Sequence, residues 1–288
     1  MGYLDDAFAN LKSELEITPT ESATASRRQN EIRDLVAASW TLEDHFLTGS
    51  YRRGTKTKKL KDVDMFVVLD DDGPQGGLRS QPPQDVLDSL LDVLQPRYAN
   101  AVADQMAVTV SFGSDQEVVS FDVVPAFERT GKGGGYEIPD TTTGEWIATN
   151  PKTHHEQLTA KNALCDDKFV PLVKMVKGLN RELGEPARSF LLEVMAHQYV
   201  RPPFGTYPDE IRWYLANAAE GVLQDWPDPA GLGPGVNTLT TSERAQSATE
   251  LAGALTIAEG AIALADEGRE RAAVEEWRKL FGWRMPRP

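Results

Sequence analysis

Residues 47–70 read LTGSYRRGTKTKKLKDVDMFVVLD, a glycine-serine turn, a basic run and an acidic strand start in succession. Gly49-Ser50 opens the stretch, and six Lys or Arg fall within residues 52–61. Asp62-Val63-Asp64 then leads an apolar run that ends at Leu69. The Val and Phe content of 62–69 predicts a strand, closed by a turn at Asp70-Asp71-Asp72-Gly73-Pro74. Alternate residues of a strand share a face, so Asp62, Asp64, Phe66 and Val68 point one way and Val63, Met65, Val67 and Leu69 the other. Neighbouring carboxylates on one face repel, and each raises the cost of ionising the other. A bound divalent cation removes that cost, and hard oxygen ligands suit Mg²⁺. A third acid, Asp122 in SFDVVPAF, lies among apolar residues where a solvated charge would be out of place. If strand 117–124 neighbours strand 62–69, the three carboxylates converge in a two-metal site of the kind used in phosphoryl transfer. Spacing alone leaves open a solvated strand end for Asp62 and Asp64, and a buried acid paired with Arg for Asp122.

Gly49 and Ser50 supply what the acids lack. Glycine lets the backbone approach phosphate oxygens, and successive N–H groups with a Ser hydroxyl hold them. No GxxxxGK[ST] phosphate loop occurs, and the glycine run in TGKGGGYE reads as a loop. Leu4, Phe8, Leu11 and Leu15 predict a first helix, and Ile32, Leu35, Val36 and Trp40 a second. Leu87, Leu90, Leu91 and Leu94 mark another. Strands are expected at 107–112 and 117–124, joined by a hairpin turn at Gly113-Ser114-Asp115. From about Pro151 helical patterns dominate, over 169–179, 190–200, 208–224 and 242–280. The expected fold is α+β: a mixed α/β lobe with its leading helices over 1–150 and a helical lobe over 151–288.

The chain has 288 residues, a net charge of −14 and 40% hydrophobic residues. That balance opposes broad contact with nucleic acid, which needs an excess of Lys and Arg on some face. It makes the local basic cluster more informative. No apolar run is expected to reach the ~20 residues of a membrane span, and the acidic, amphipathic start does not read as a secretory signal. Cys165 is alone, so no intrachain disulfide forms, and the expected location is cytoplasmic. His154, His155 and Cys165 do not make a zinc motif, and no G-x-S-x-G elbow supports a serine hydrolase.

G-S-x(11)-D-x-D with a third Asp in DVVPA resembles the DNA polymerase β-like nucleotidyltransferase superfamily. Together with EWIATNPKTHHEQL, LVKMVKGLN and RSFLLEVMAH, the chain most resembles the cGAS/DncV-like nucleotidyltransferases (CD-NTases). The likeness implies a bilobed fold: a polymerase β-like core of mixed sheet and helices, with a C-terminal helical lobe completing the nucleotide pocket. It implies that Asp62, Asp64 and Asp122 hold two Mg²⁺ ions, for which Mn²⁺ substitutes, and that Gly49 and Ser50 contact the triphosphate. Lys174 and Ser189 match residues that reach the phosphates from the helical lobe, and Phe190 matches an aromatic that stacks on a base. Lys177 shares a helix face with Lys174 at i+3; without the resemblance, the two lysines read as a solvated face.

The implied activity is Mg²⁺-dependent joining of nucleoside triphosphates into a cyclic di- or trinucleotide second messenger, with release of pyrophosphate. Such enzymes act in bacterial antiphage (CBASS) signalling, where the product switches on a separate effector protein. Two other readings stay open. One is a template-independent RNA nucleotidyltransferase, CCA-adding or oligoadenylate synthase-like, although the acidic chain lacks a tRNA-binding surface. The other is an inactive nucleotide-binding scaffold, against which the three intact acids argue. With one local basic cluster, no long nucleic-acid activator is expected; activity is either constitutive or licensed by a protein partner.

Overall fold

The computed structural model describes residues 2–73, 75–113, 116–131 and 133–288. The helices in chain order are α1 (Tyr3–Leu15), α2 (Pro19–Ala37), α3 (Gly49–Arg52), α4 (Pro83–Leu94), α5 (Pro151–Leu164), α6 (Phe169–Glu182), α7 (Ser189–Tyr199), α8 (Tyr207–Gly221), α9 (Thr241–Asp266) and α10 (Glu270–Phe281). The strands are β1 (Leu42–Leu47), β2 (Leu60–Leu69), β3 (Val102–Asp104), β4 (Ala107–Ser111), β5 (Val118–Glu128), β6 (Tyr136–Asp140) and β7 (Glu145–Thr149). They form two compact units, one of Ile17–His155 with Ala230–Gly233, the other of Met1–Glu16, Glu156–Pro229 and Pro234–Pro288. The class is α+β.

In the first of these units the sheet runs β1-β2-β5-β4-β3, with β6 pairing β5 and β7 pairing β6. The β2–β5 pair is parallel and its neighbours are antiparallel. From Met65 to Leu69 both faces of β2 are buried, with the alternation expected from its sequence. Val63, Met65, Val67 and Leu69 pack with Ile32 and Val36 of α2 and Leu87, Leu90 and Leu94 of α4. On the opposite face, Phe66 and Val68 join Phe46, Val124, Ala126 and Tyr136. The Phe46, Phe66 and Tyr136 rings there lie 5.4–5.9 Å apart.

The start of α2 is a capping box, in which Glu21 N–H donates to Thr18 Oγ1 at 3.1 Å and Thr18 N–H to Glu21 Oε2 at 2.7 Å. The other oxygen of the buried Glu21 accepts Leu60 N–H at 3.0 Å. Two turns along α2, the buried Arg28 donates to the carbonyl of Val118 and lies 3.6 Å over the Phe112 ring. One helix thus holds the first residues of both β2 and β5, the ends that carry the three acids.

Three short strands, β3, β6 and β7, escaped the sequence reading. β6 follows the glycine run and contains Pro139, both signals against a strand. The predicted helix over 242–280 is two helices, broken where Gly268 takes φ +76°. Of the predicted turns, Pro74, Ser114 and Asp115 lie outside the described residues, as does Lys132 in the glycine run.

The other unit is helical, with Phe8, Leu11, Leu172, Leu191, Tyr214, Leu251, Trp277 and Phe281 in its core. The leading helix α1, expected with the front lobe, packs here. Phe8 meets the Trp277 ring edge-on at 5.3 Å, and Tyr3 donates its hydroxyl to the Arg287 carbonyl at 3.0 Å. Among the described residues α9 is long and apolar enough to cross a membrane by length and composition, which corrects the expectation that no segment would be. It carries Glu250 and Glu259 within its length. Its Leu251, Ala254, Ala258 and Ala261 are buried in the core of this unit, where α9 packs on α8 and α10.

Candidate active site

The parallel register of β2 and β5 sets Asp62 beside Ser120 and Asp64 beside Asp122. The Ser120 hydroxyl donates to the Lys61 carbonyl at 2.9 Å, tying the two strand starts together. β1 ends at Leu47, and the chain turns through Thr48 into α3, a single helical turn. Thr48 N–H donates to the Asp64 carbonyl at 2.8 Å, which locks this turn onto β2. Gly49 follows at φ +58°, and a Cβ placed on it would lie 1.7 Å from Asp64 Oδ2. Only glycine fits, both for its backbone and for the carboxylate against it. Ser50 lies next, half-buried, and its carbonyl accepts the N–H groups of Thr55 and Lys56, each at 3.0 Å.

The basic run sorts into two groups. Arg53 is buried and Lys56 largely so, whereas Arg52, Lys59 and Lys61 face solvent. Lys56 Nζ lies 2.6 Å from Asp62 Oδ2. Asp122 Oδ1 accepts the Thr109 hydroxyl at 2.7 Å, so its partner is a hydroxyl on β4 rather than an Arg. Burial pushes the Asp64 carboxyl above the usual carboxylate range; Lys56 and Arg53 counter this, while Asp62 and Asp122 add to it. Burial also raises Asp122, opposed first by the Thr109 hydrogen bond and reinforced by Asp62.

Among the described residues no three His, Cys, Asp or Glu side chains are grouped as a ready-made metal cluster. Two of the three acids here are engaged by Lys56 and Thr109. The donor set still fits a divalent cation: three hard carboxylates on paired strands, two of them raised by burial and by like charge, are the arrangement that a cation relieves.

The remaining predicted residues belong to the helical unit. Lys174 and Lys177 lie on α6, and both are buried, which corrects their reading as a solvated face. Lys174 pairs with Glu16, and Lys177 with Glu193 on α7, a pair with only 6% and 3% of its side chains exposed. Ser189 is the exposed first residue of α7 and Phe190 beside it is half-buried. Sequence reading missed Thr109, Lys56 as an individual, Glu16 and Glu193. Strand register brings Thr109 to its partner, a loop hook brings Lys56, and helix packing brings Glu16 and Glu193; none of these was written in any motif.

Comparison with known proteins agrees with this architecture. The family model of the Second Messenger Oligonucleotide or Dinucleotide Synthetase domain matches residues 2–162, more than half the chain. The chain is 27% identical to the cyclic AMP-AMP-AMP synthase of Acinetobacter sp. (strain ATCC 27244 / 9458), over 97% of this chain and 84% of that protein. It is 26% identical to a probable cyclic nucleotide synthase of Bacillus cereus (strain VD146), over 83% and 81% respectively. Its fold is similar to CdnC in the CdnC:HORMA-deltaN complex of E. coli MS115-1, with a TM-score of 0.73, 17% identity and 98% of each chain covered. The chain is therefore a member of the Second Messenger Oligonucleotide or Dinucleotide Synthetase family, a nucleotidyltransferase of the CD-NTase type that makes cyclic oligonucleotides.

Proposed function

We propose that Asp62, Asp64 and Asp122 form the catalytic centre, and that the chain closes a cyclic di- or trinucleotide containing adenosine. The parallel register that sets Asp64 beside Asp122, with Asp62 one alternate position earlier on β2, is the observation that supports this reading most. The three carboxylates would hold two Mg²⁺ ions, which when bound neutralise the donor triphosphate and acidify the acceptor hydroxyl. Gly49 leaves room for the Asp64 carboxylate, and the N–H groups and hydroxyl at Gly49-Ser50 receive phosphate oxygens. Asp122, raised by burial, positions the acceptor hydroxyl and accepts its proton. The hydroxyl oxygen forms its bond to the α-phosphorus as the bond to pyrophosphate breaks. A second such transfer, within the linear intermediate or after one further addition, closes the ring.

In this reading Lys174, Lys177 and Ser189 steady the phosphates and Phe190 stacks on a base. The substrates are cytoplasmic nucleoside triphosphates, ATP among them, since a relative aligned along nearly the whole chain is a cyclic AMP-AMP-AMP synthase. The product acts on a separate effector in antiphage signalling. A protein regulator fits the likeness to CdnC, whose structure is a complex with HORMA. The test is incubation of the purified protein with Mg²⁺ and all four labelled triphosphates, followed by phosphatase and mass spectrometry. A phosphatase-resistant cyclic product, absent with Asp62→Ala/Asp64→Ala, is expected. Products that remain phosphatase-sensitive, or that appear only with added tRNA, would favour a linear or RNA-directed transferase.

A further inference from the structure

Lys56 lies six residues before Asp62, in a run whose exposed cations, Arg52, Lys59 and Lys61, face water. Its surroundings fix it in place. Gly54 takes φ +70°, Thr55 and Thr57 on either side are buried, and the Ser50 carbonyl accepts both Thr55 N–H and Lys56 N–H at 3.0 Å. This hook returns the chain toward β2 and sets Lys56 Nζ 2.6 Å from Asp62 Oδ2. The Lys56 side chain is only 11% exposed, against 51% for Asp62. Lysine keeps its ammonium in water unless a counter-charge holds it elsewhere. Here the counter-charge is the Asp62 carboxylate, the acid that Lys56 Nζ reaches.

We propose that Lys56 is a built-in counter-cation: it neutralises Asp62 while no metal is bound, and it must leave Asp62 before a divalent cation binds there. The proposal rests on the reading of these acids as metal ligands and goes beyond it by assigning the site a resident competitor. Two consequences follow. Free divalent cation binds weakly, because it displaces an intramolecular ammonium already in position. An incoming triphosphate offers that ammonium a new partner, so nucleotide and metal favour each other's binding by linkage. The enzyme then resists loading with metal alone.

The test is titration of nucleotide-free protein with Mn²⁺, with free ion read by electron paramagnetic resonance, alongside thermal melting in a chelator. Lys56→Met should bind Mn²⁺ about fivefold more tightly than wild type, the scale of one partly exposed ion pair, and should melt lower in chelator. Lys56→Arg keeps the charge and should bind no more tightly than wild type. If Lys56→Met does not fold, Lys56→Gln carries the same expectation. Equal or weaker Mn²⁺ binding by the neutral variant overturns the proposal, whatever the melting shows, because it makes Lys56 a structural pair only. Absence of binding to both proteins overturns it too. Adding Asp62→Asn/Asp64→Asn to Lys56→Met should abolish the tightened binding; binding that survives would instead refute the metal reading of the acids.

Discussion

Replacing Gly49 with Ala tests whether the turn before β2 exists to seat the Asp64 carboxylate. The added Cβ would stand 1.7 Å from Asp64 Oδ2 and 2.6 Å from its Cγ, where ordinary contact begins at 3.4 Å. Relief requires the carboxylate to move by well over 1 Å, and a misplacement of about 1 Å at a reacting centre costs on the order of 10²-fold in rate. The residue also sits at φ +58°, where an L side chain costs about 1–2 kcal/mol. Gly77 separates the two effects. It has φ +87°, and a Cβ added there would meet nothing within 4 Å, so Gly77→Ala carries the backbone cost without the clash. The assays are initial rate of cyclic product formation and urea unfolding on both variants. Gly49→Ala should lose about 100-fold in rate and unfold at lower urea, whereas Gly77→Ala should lose about 1 kcal/mol of stability with its rate unchanged. A Gly49→Ala enzyme within twofold of wild-type rate would refute the argument that this turn positions Asp64.

Thr109→Val removes the hydroxyl that Asp122 accepts at 2.7 Å; kcat/KM should fall by about tenfold, the scale of one charge-assisted hydrogen bond, while Thr109→Ser retains most of the rate. Lys177→Met or Glu193→Leu alone breaks this buried pair and should each cost about 3–5 kcal/mol in urea unfolding. The double variant should recover most of that loss, and an additive loss would contradict a direct coupling. Burial lowers the pKa of His197 from its ordinary 6.5, so the unfolded chain binds the proton more readily than the folded one. Its contribution to stability is complete above pH 6.5 and is lost as pH falls below that toward the depressed folded value. His197→Gln should flatten melting temperature against pH across that window; an unchanged slope would contradict the assignment.

How much was legible depended on where the information lay. Most of β2 could be read from residues 62–69 alone, since one strand's alternation separates its faces and places Asp62 and Asp64 together. Asp122 was legible because a lone acid in an apolar strand needs a reason. The pairing of β5 with β2 could only be posed as a condition, because parallel register is set by distant contacts, here Glu21 to Leu60 and Arg28 to Val118. The partners of the acids were hidden for the same reason. Thr109 faces Asp122 by the β4–β5 register, and Lys56 reaches Asp62 through a hook that no spacing rule describes. Lys174 and Lys177 misled in the opposite sense, as polar residues three apart usually mark a wet face. Their acidic partners, Glu16 and Glu193, lie 158 and 16 residues away. The placement of α1 followed tertiary packing of Phe8 rather than any local signal.

The most direct measurement is anomalous diffraction at the manganese edge from crystals grown with Mn²⁺ and a non-hydrolysable ATP analogue. Two anomalous peaks are expected at the carboxylates of Asp62, Asp64 and Asp122, with the triphosphate against Gly49-Ser50 and Lys56 turned away from Asp62. Manganese held elsewhere, or a nucleotide seated away from these three acids, would contradict this arrangement.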